Sequence, residues 1–121
     1  MRPRLFVPAP RRWSPDDPYL YTCRATIVDG ALERAAGDVL DSDETTFGIR
    51  SLALDARRGL RINGEPVLLR GACVHHDNGP LGAATIARAD ERRVEILKAA
   101  GFNAIRSAHN PMSRAMLDAC D

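Results

Sequence analysis

The sequence has no uninterrupted run of about 18 apolar residues, which is the length that a membrane-spanning helix needs. Residues 1–13 carry positive charge, but Pro8 and Pro10 interrupt their short apolar part. A secretory signal needs roughly 7–15 continuous apolar residues, so none is indicated. We therefore expect a cytoplasmic protein without a membrane partner.

Cysteine is also scarce, with Cys23, Cys73 and Cys120 far apart and no C-x-x-C pair. An odd number at such spacing argues against a disulfide framework or a cysteine-based zinc site. We expect these residues to be small apolar thiols in the core.

The sequence also lacks an excess of charge of either sign. It has 17 Lys and Arg residues and 16 Asp and Glu residues, which gives a net charge of +1. No basic stripe with interleaved aromatic residues is present, which argues against a nucleic-acid partner. Arginine pairs occur at 11–12, 57–58 and 92–93. We interpret these scattered pairs as parts of solvated faces.

The first half of the chain has the pattern of an antiparallel β-sandwich. Residues 1–18 contain five prolines and predict extended surface chain, because proline fixes φ and lacks an amide donor. In residues 19–28 side chains alternate, which predicts a strand ended by Asp29-Gly30. A weaker segment runs to Asp43, and residues 44–54 predict another strand.

The second half changes to the pattern of a parallel sheet. Within residues 60–69, Asn63-Gly64 lies between two apolar pieces and predicts a hairpin with a type I′ turn. Residues 67–74 form a nearly continuous apolar run, which is typical of a strand buried on both faces.

Helix and strand then alternate. Residues 87–101 predict a helix with Gly101 at its C′ position, and residues 102–105 predict a strand. A second helix is predicted over 113–120, with Ser113 as its N-cap. The order strand, loop, helix, strand, loop, helix predicts a βαβ unit followed by a further helix.

Polar side chains follow both predicted parallel strands. The six residues are His75, His76, Asp77, Arg106, His109 and Asn110. Ligands bind at the carboxyl ends of parallel strands, so we expect these side chains to share one rim. Any one of them could merely cap a helix or bond to backbone carbonyls, but six at consecutive strand ends favour a functional site. If strand alternation persists, His76 points away from that site.

Several chemistries could use this cluster. A metal site of His75, Asp77 and His109 has suitable ligands, but no H-E-x-x-H or similar spacing supports it. Asp77 is the only carboxylate near the two strand ends, and no G-x-S-x-G motif is present. Recognition of sugar hydroxyls remains, because His, Asn and Arg supply suitable donors and acceptors, and Arg106 could hold a carboxylate.

At these residues the sequence resembles glycoside hydrolase family 2, the group of β-galactosidases, β-glucuronidases and β-mannosidases. "WSPDDPYLYT" (13–22) and "FGIR" (47–50) resemble the last strands and the end of the immunoglobulin-like domain of that family. "LRINGEPVLLRGACVHHDNGPLG" (60–82) resembles the hairpin and first strand of the family's barrel, and "LKAAGFNAIRSAHNP" (97–111) its first helix and second strand.

The resemblance implies a mixed fold. Residues 1–54 would form the C-terminal part of an immunoglobulin-like β-sandwich, and residues 55–121 the first two β/α units of an incomplete (β/α)8 TIM barrel. A whole barrel takes on the order of 250 residues. The family are retaining β-glycosidases whose acid/base and nucleophile glutamates lie on later strands. We therefore expect this chain to contain no catalytic residue, metal or cofactor and to be inactive alone.

The resemblance also assigns roles at the rim. His75 and His109 match histidines that contact the sugar, and Arg106 matches an arginine that supports the nucleophile. Asn110 stands where many members have Tyr, and Ser107-Ala108 replaces the more usual Thr-Ser. The expected partner is a β-glycoside. The alternative is a non-catalytic carbohydrate-binding or assembly module that complements another chain, and open strand edges lead us to expect self-association.

Overall fold

The structure, a computed structural model, describes residues 4–29 and 37–121. The chain divides into two compact units, Met1–Ser51 and Leu52–Asp121. Among the described residues, no helix combines the length and the apolar character needed to cross a membrane. The predicted loop residues 1–3 and the predicted turn residue Gly30 lie outside the described residues.

The first unit contains an antiparallel pair of strands. Strand β1 (Tyr21–Val28) pairs with strand β2 (Val39–Phe47), with Tyr21 opposite Phe47 and Val28 opposite Val39. The register shifts between Ile27 and Val28. The predicted strand over 19–28 is confirmed except for its first two residues.

The bounds predicted for the second strand were wrong. We expected a weak segment to Asp43 and a strand over 44–54, but β2 begins at Val39 and ends at Phe47. Residues 39–43 are exposed and include the polar run Asp41, Ser42 and Asp43, and their strand conformation comes from pairing with residues 25–28 of β1. Such long-range pairing overrides weak intrinsic β-propensity.

The proline-rich start of the chain contains no strand or helix over residues 4–18, as predicted. Several residues of this segment nevertheless make specific contacts. Arg11 donates from Nε and Nη2 to the Asp17 carboxylate at 2.9 and 2.6 Å, and its guanidinium lies 4.5 Å from the ring centroid of Tyr19. The Trp13 amide donates to the Ile49 carbonyl at 3.0 Å, which joins this segment to the chain after β2.

The second unit begins with a three-stranded antiparallel sheet. Strands β3 (Leu52–Asp55), β4 (Gly59–Ile62) and β5 (Glu65–Pro66) are hydrogen-bonded in that order. Asn63 and Gly64 have φ values of 55° and 90°, as a type I′ turn requires at both central positions. The hairpin predicted from Asn63-Gly64 is confirmed.

Strands β6 (Gly71–Val74) and β7 (Ala104–Ser107) form a parallel pair, as the βαβ prediction requires. Both differ from their predicted bounds of 67–74 and 102–105. The first parallel strand begins later than predicted because the Val67 amide still donates to the Leu60 carbonyl of β4, within the antiparallel sheet. The second parallel strand also begins later than predicted, because the Phe102 amide donates to the Leu97 carbonyl near the end of the preceding helix.

Two helices follow these strands. Helix α1 (Ala87–Ala99) ends with Gly101 at a φ of 85°, and the amides of Gly101 and Phe102 donate to the carbonyls of Lys98 and Leu97. This is the Schellman arrangement that the glycine predicts. Helix α2 (Arg114–Cys120) begins after Ser113, whose hydroxyl accepts the Met116 amide.

The most buried side chains lie in the second unit. They are Ile62, Val74, Asp90, Ala108 and Met116. The prediction that the cysteines are core thiols was wrong, because Cys73 and Cys120 are exposed and Cys23 is half-buried. Cys23 and Cys73 lie in two-stranded sheets, in which each strand has an open edge, and Cys120 is the last residue of α2.

Candidate functional site

Parallel pairing brings the carboxyl ends of β6 and β7 side by side. Cys73 lies opposite Arg106, and the Ala108 amide donates to the Val74 carbonyl at 3.0 Å, one step beyond the paired strands. His75 follows β6 directly. The segments that carry the predicted polar clusters therefore leave the sheet at the same edge.

The imidazole rings of His75 and His109 meet at this edge. Their centroids are 5.6 Å apart and their planes are inclined at 87°, which is an edge-to-face contact. Both residues are exposed. The structure thus brings together the two histidines that the sequence places on one rim, and their contact with a sugar stays a prediction.

Arg106 belongs to the same cluster, although it lies inside β7 and not after it as predicted. Its Nη1 lies 3.5 Å from Cys73 Sγ and its Nη2 lies 3.5 Å from His109 Nδ1. A guanidinium has only donors, so a hydrogen bond between these two side chains requires Nδ1 of His109 as the acceptor. Among the described residues no hydrogen-bond partner is seen for the other ring nitrogen of His109, Nε2, and it is the one that we expect to face a ligand.

Asn110 is exposed, and its main-chain oxygen accepts a hydrogen bond from the Ser107 hydroxyl. Within the described part of the chain, no contact joins its side chain to the two histidines or to Arg106. Of the six predicted residues, His75, His109 and Arg106 are therefore in contact, and Asn110 follows His109 without joining them.

His76 and Asp77 take structural positions. His76 is half-buried between two exposed neighbours, in line with the predicted alternation. The Asp77 carboxylate accepts the Gly79 amide at 3.0 Å, which forms a local turn. Across residues 4–29 and 37–121, no three His, Cys, Asp or Glu side chains are grouped as metal ligands.

Arg93 of α1 lies against this site, and the sequence analysis missed it. Its guanidinium donates from Nη1 to the His75 carbonyl at 2.8 Å, and from Nη2 to the Asp77 carbonyl and to Asn78 Oδ1, the latter at 2.8 Å. The interpretation of Arg92-Arg93 as a solvated face was therefore wrong for Arg93. No motif marks it, because two of its three acceptors are backbone carbonyls.

Asn78 closes the loop that follows. Its Nδ2 donates to the Ala84 carbonyl at 2.6 Å, and its amide donates to the Gly82 carbonyl at 2.8 Å. A short 3-10 turn, Gly79–Leu81, lies between these contacts. The loop after β6 is thus fixed at both ends, by Arg93 and by Asn78.

Both parts of the chain match models of one protein family. Residues 3–50 match the family described as glycosyl hydrolases family 2, and residues 55–121 match its TIM barrel domain. The predicted fold class is confirmed: part of an immunoglobulin-like sandwich precedes the start of a TIM barrel. The described strands form no closed barrel.

Individual relatives agree with the family models. The chain is 42% identical over 118 residues to the β-galactosidase BoGH2A of Bacteroides ovatus, which covers 98% of this chain and 13% of that protein. A solved family 2 member from Bacteroides cellulosilyticus superposes with a TM-score of 0.83 at 46% identity, over 93% of this chain and 14% of the other. The Bacteroides uniformis β-glucuronidase superposes with a TM-score of 0.82 at 33% identity, over 93% and 13%.

The chain therefore spans about one eighth of the length of the relatives that it matches.

Proposed function

Because the chain belongs to glycosyl hydrolases family 2, we propose that it forms part of the sugar-binding rim of a retaining β-glycosidase. The residues proposed to contact or support the bound β-glycoside are His75, Arg106, His109 and Asn110. The observation that carries the proposal is the edge-to-face contact of His75 and His109 beside Arg106, at the carboxyl edge of two parallel strands. Relatives named β-galactosidase and β-glucuronidase support an O-glycosidic bond as the target.

The chemistry of these groups suits a pyranose. Each sugar hydroxyl donates one hydrogen bond and accepts others, and a neutral imidazole offers one donor and one acceptor. His109 would donate from Nε2, since its Nδ1 faces Arg106. We assign Arg106 to hold a carboxylate, because a guanidinium matches carboxylate geometry, and the family resemblance implies that this carboxylate is the nucleophile.

The reacting carboxylates are not among the residues of this rim in our proposal. Retaining hydrolysis needs two carboxyl groups about 5 Å apart, one to attack the anomeric carbon and one to protonate the leaving oxygen. Residues 71–78 and 104–110 contain a single carboxylate, Asp77, and one of its oxygens accepts the Gly79 amide. We expect the chain alone to show no glycosidase activity, with the acid/base and nucleophile supplied by glutamates of other barrel strands.

We also propose that the sandwich part comprises residues 1–54 and the barrel part residues 55–121. The family models support a boundary in this region, since one match ends at residue 50 and the other begins at residue 55. In the structure the second compact unit begins at Leu52, three residues before this boundary, because strand β3 pairs with β4.

A second candidate function is a carbohydrate-binding or assembly module without catalysis of its own, completed by another chain. The observation that favours it is the exposure of large apolar side chains in the second unit. Leu52, Leu54, Leu68 and Leu69 are all exposed. Such side chains in strands and loops of a small unit are typical of a surface that another element covers.

A sugar titration with point variants tests the binding proposal. Nuclear magnetic resonance (NMR) spectra of the chain are followed as methyl β-D-galactopyranoside or methyl β-D-glucuronide is added. We expect His75→Ala and His109→Ala each to weaken binding about tenfold, since each loses hydrogen bonds to the sugar. His76→Ala is the matched control and keeps the wild-type Kd. Equal effects at all three histidines, or no binding by the wild type, would contradict the proposal.

An activity assay separates the two candidate functions. The pure chain is incubated with a chromogenic β-galactoside or β-glucuronide, alone and with a chain that carries the remaining barrel strands. We expect no turnover alone and turnover in the mixture if the chain is part of an enzyme. Binding of the second chain without turnover would favour the assembly module, and turnover by the pure chain would contradict the assignment of the catalytic pair.

A further inference from the structure

We propose that Arg93 is a positioning residue that fixes the His75 imidazole in its place beside His109. This inference rests on the sugar-binding role proposed for His75 and deepens it. It names a residue of α1 that acts on the sugar site through the backbone of the loop after β6.

The contacts of Arg93 are concentrated on that loop. Its guanidinium donates to three oxygens within four consecutive residues, namely the carbonyls of His75 and Asp77 and Oδ1 of Asn78. A planar guanidinium can satisfy several acceptors in a fixed arrangement, which a single ammonium group cannot do. Arg93 therefore fixes the direction of the chain as it leaves the sheet.

The position of the His75 ring depends on this backbone. His75 is exposed, and its ring makes an edge-to-face contact with the ring of His109. Because the ring is exposed, the direction of the Cα–Cβ bond is the main constraint on the position of the ring. The carbonyl of the same residue accepts from Arg93 at 2.8 Å and from the Asp77 amide at 2.9 Å, and Arg93 also bonds to the Asp77 carbonyl, so it holds both ends of this local turn.

Asn78 extends the hydrogen bonds that hold this backbone further along the loop. It accepts from Arg93 through Oδ1, while its Nδ2 and amide hold Ala84 and Gly82 at the far side. Helix α1 thus holds the loop through one arginine. Arg93 lies near the middle of that helix, away from the ends, where helices tend to fray.

All three acceptors of Arg93 are uncharged oxygens, so the geometry of the side chain matters more than its charge. A lysine at this position would keep the charge and reach only part of the set. The neighbouring Arg92 is exposed and interacts with Glu95. Arg92 therefore offers a control with the same charge on the same helix.

The experiment compares Arg93→Met, Arg93→Lys and the control Arg92→Met. The first readout is the nuclear Overhauser effect (NOE) between the ring protons of His75 and His109, which needs no sugar. The second readout is the Kd for methyl β-D-galactopyranoside. Exchange protection of the Met116 amide, which bonds to Ser113, shows that the second unit is still folded.

We expect Arg93→Met to lose the ring-to-ring NOE and to weaken sugar binding about tenfold. Arg93→Lys should lose about threefold in affinity with a weaker NOE, and Arg92→Met should match the wild type. An Arg93→Met protein that keeps both the NOE and the wild-type Kd would overturn the proposal. A lost NOE with an unchanged Kd would support the positioning by Arg93 and overturn the sugar-binding role of His75 on which the inference rests.

Two further outcomes also decide the question. If the wild type binds no sugar, the proposed function fails, while the NOE comparison by itself supports or overturns the positioning of His75 by Arg93. If Arg93→Met is unfolded, Arg93→Lys decides, because an unchanged NOE there overturns the proposal and a weakened one supports it.

Discussion

Arg70 and Asn103 are joined by two hydrogen bonds at the point where β6 and β7 begin. The Arg70 amide donates to Asn103 Oδ1 at 2.7 Å, and the Asn103 amide donates to the Arg70 carbonyl at 2.9 Å. Nδ2 of Asn103 also donates to the Leu68 carbonyl at 3.0 Å. These bonds fix the register that sets Cys73 opposite Arg106 and brings the two histidines together at the other end of the strands.

Asn103→Ala should destabilise the second unit by about 1–3 kcal/mol, because it removes two side-chain hydrogen bonds and each contributes about 0.5–1.5 kcal/mol. The measurement is urea unfolding, followed by the exchange protection of amides in β6 and β7. Asn110→Ala is the matched control, since Asn110 is exposed, and should stay within about 0.5 kcal/mol of the wild type. Equal losses in the two variants would show that Asn103 does not fix the register.

Ser113→Ala should destabilise the packing of α1 and α2 by about 2–4 kcal/mol. The hydroxyl accepts the Met116 amide at 3.0 Å as an N-cap and donates to the buried Asp90 carboxylate at 2.6 Å. Loss of a cap costs about 1 kcal/mol, and a lost bond to a charged group costs about 1.5–3 kcal/mol. Thermal unfolding measures the change. Ser113→Thr keeps the hydroxyl, and a loss as large as that of Ser113→Ala would contradict this account.

The pKa of Glu95 is lowered, chiefly by its hydrogen bonds from Arg88 and in smaller part by the charges of Arg88 and Arg92. A carboxyl whose pKa is lower in the folded state contributes stability above its ordinary pKa of 4.5, and this contribution is lost as the pH falls through the lowered pKa. NMR titration should show that Arg88→Gln raises the pKa of Glu95 toward 4.5 and that Arg92→Gln changes it much less. The opposite ranking would contradict the assigned cause.

The chain should self-associate through the apolar face of β3. Leu52 and Leu54 alternate on this strand and are 61% and 80% exposed. Sedimentation should show a molecular mass that rises with protein concentration, and Leu54→Ser should reduce it. Leu5→Ser replaces a leucine that is 75% exposed elsewhere and should leave association unchanged. A monomer at every concentration would rule out this association.

The parts of the fold that the sequence predicted well depend on local geometry. Asn63-Gly64 predicts its hairpin because both residues accept positive φ, and Gly101 predicts the helix end for the same reason. Ser113 predicts an N-cap because the acceptor and the amide that it binds are three residues apart. Each of these signals lies within one turn of the chain.

The parts that were missed depend on contacts between distant residues. The start of β6 is set by Asn103, which lies 33 residues from Arg70, and no local pattern carries that information. Arg93 bonds to residues 15–18 positions away, and its principal acceptors are backbone carbonyls, which every residue has. The convergence of His75 and His109 was predictable because parallel pairing alone places two strand ends together.

The most direct test of the proposed site is the detection of NOEs between the protein and a bound methyl β-D-galactopyranoside. The account predicts that protons of the His75 and His109 rings both show NOEs to protons of the sugar ring, while His76 shows none. NOEs confined to other residues at a saturating sugar concentration, or to only one of the two histidines, would contradict the claim that they form one sugar-binding rim.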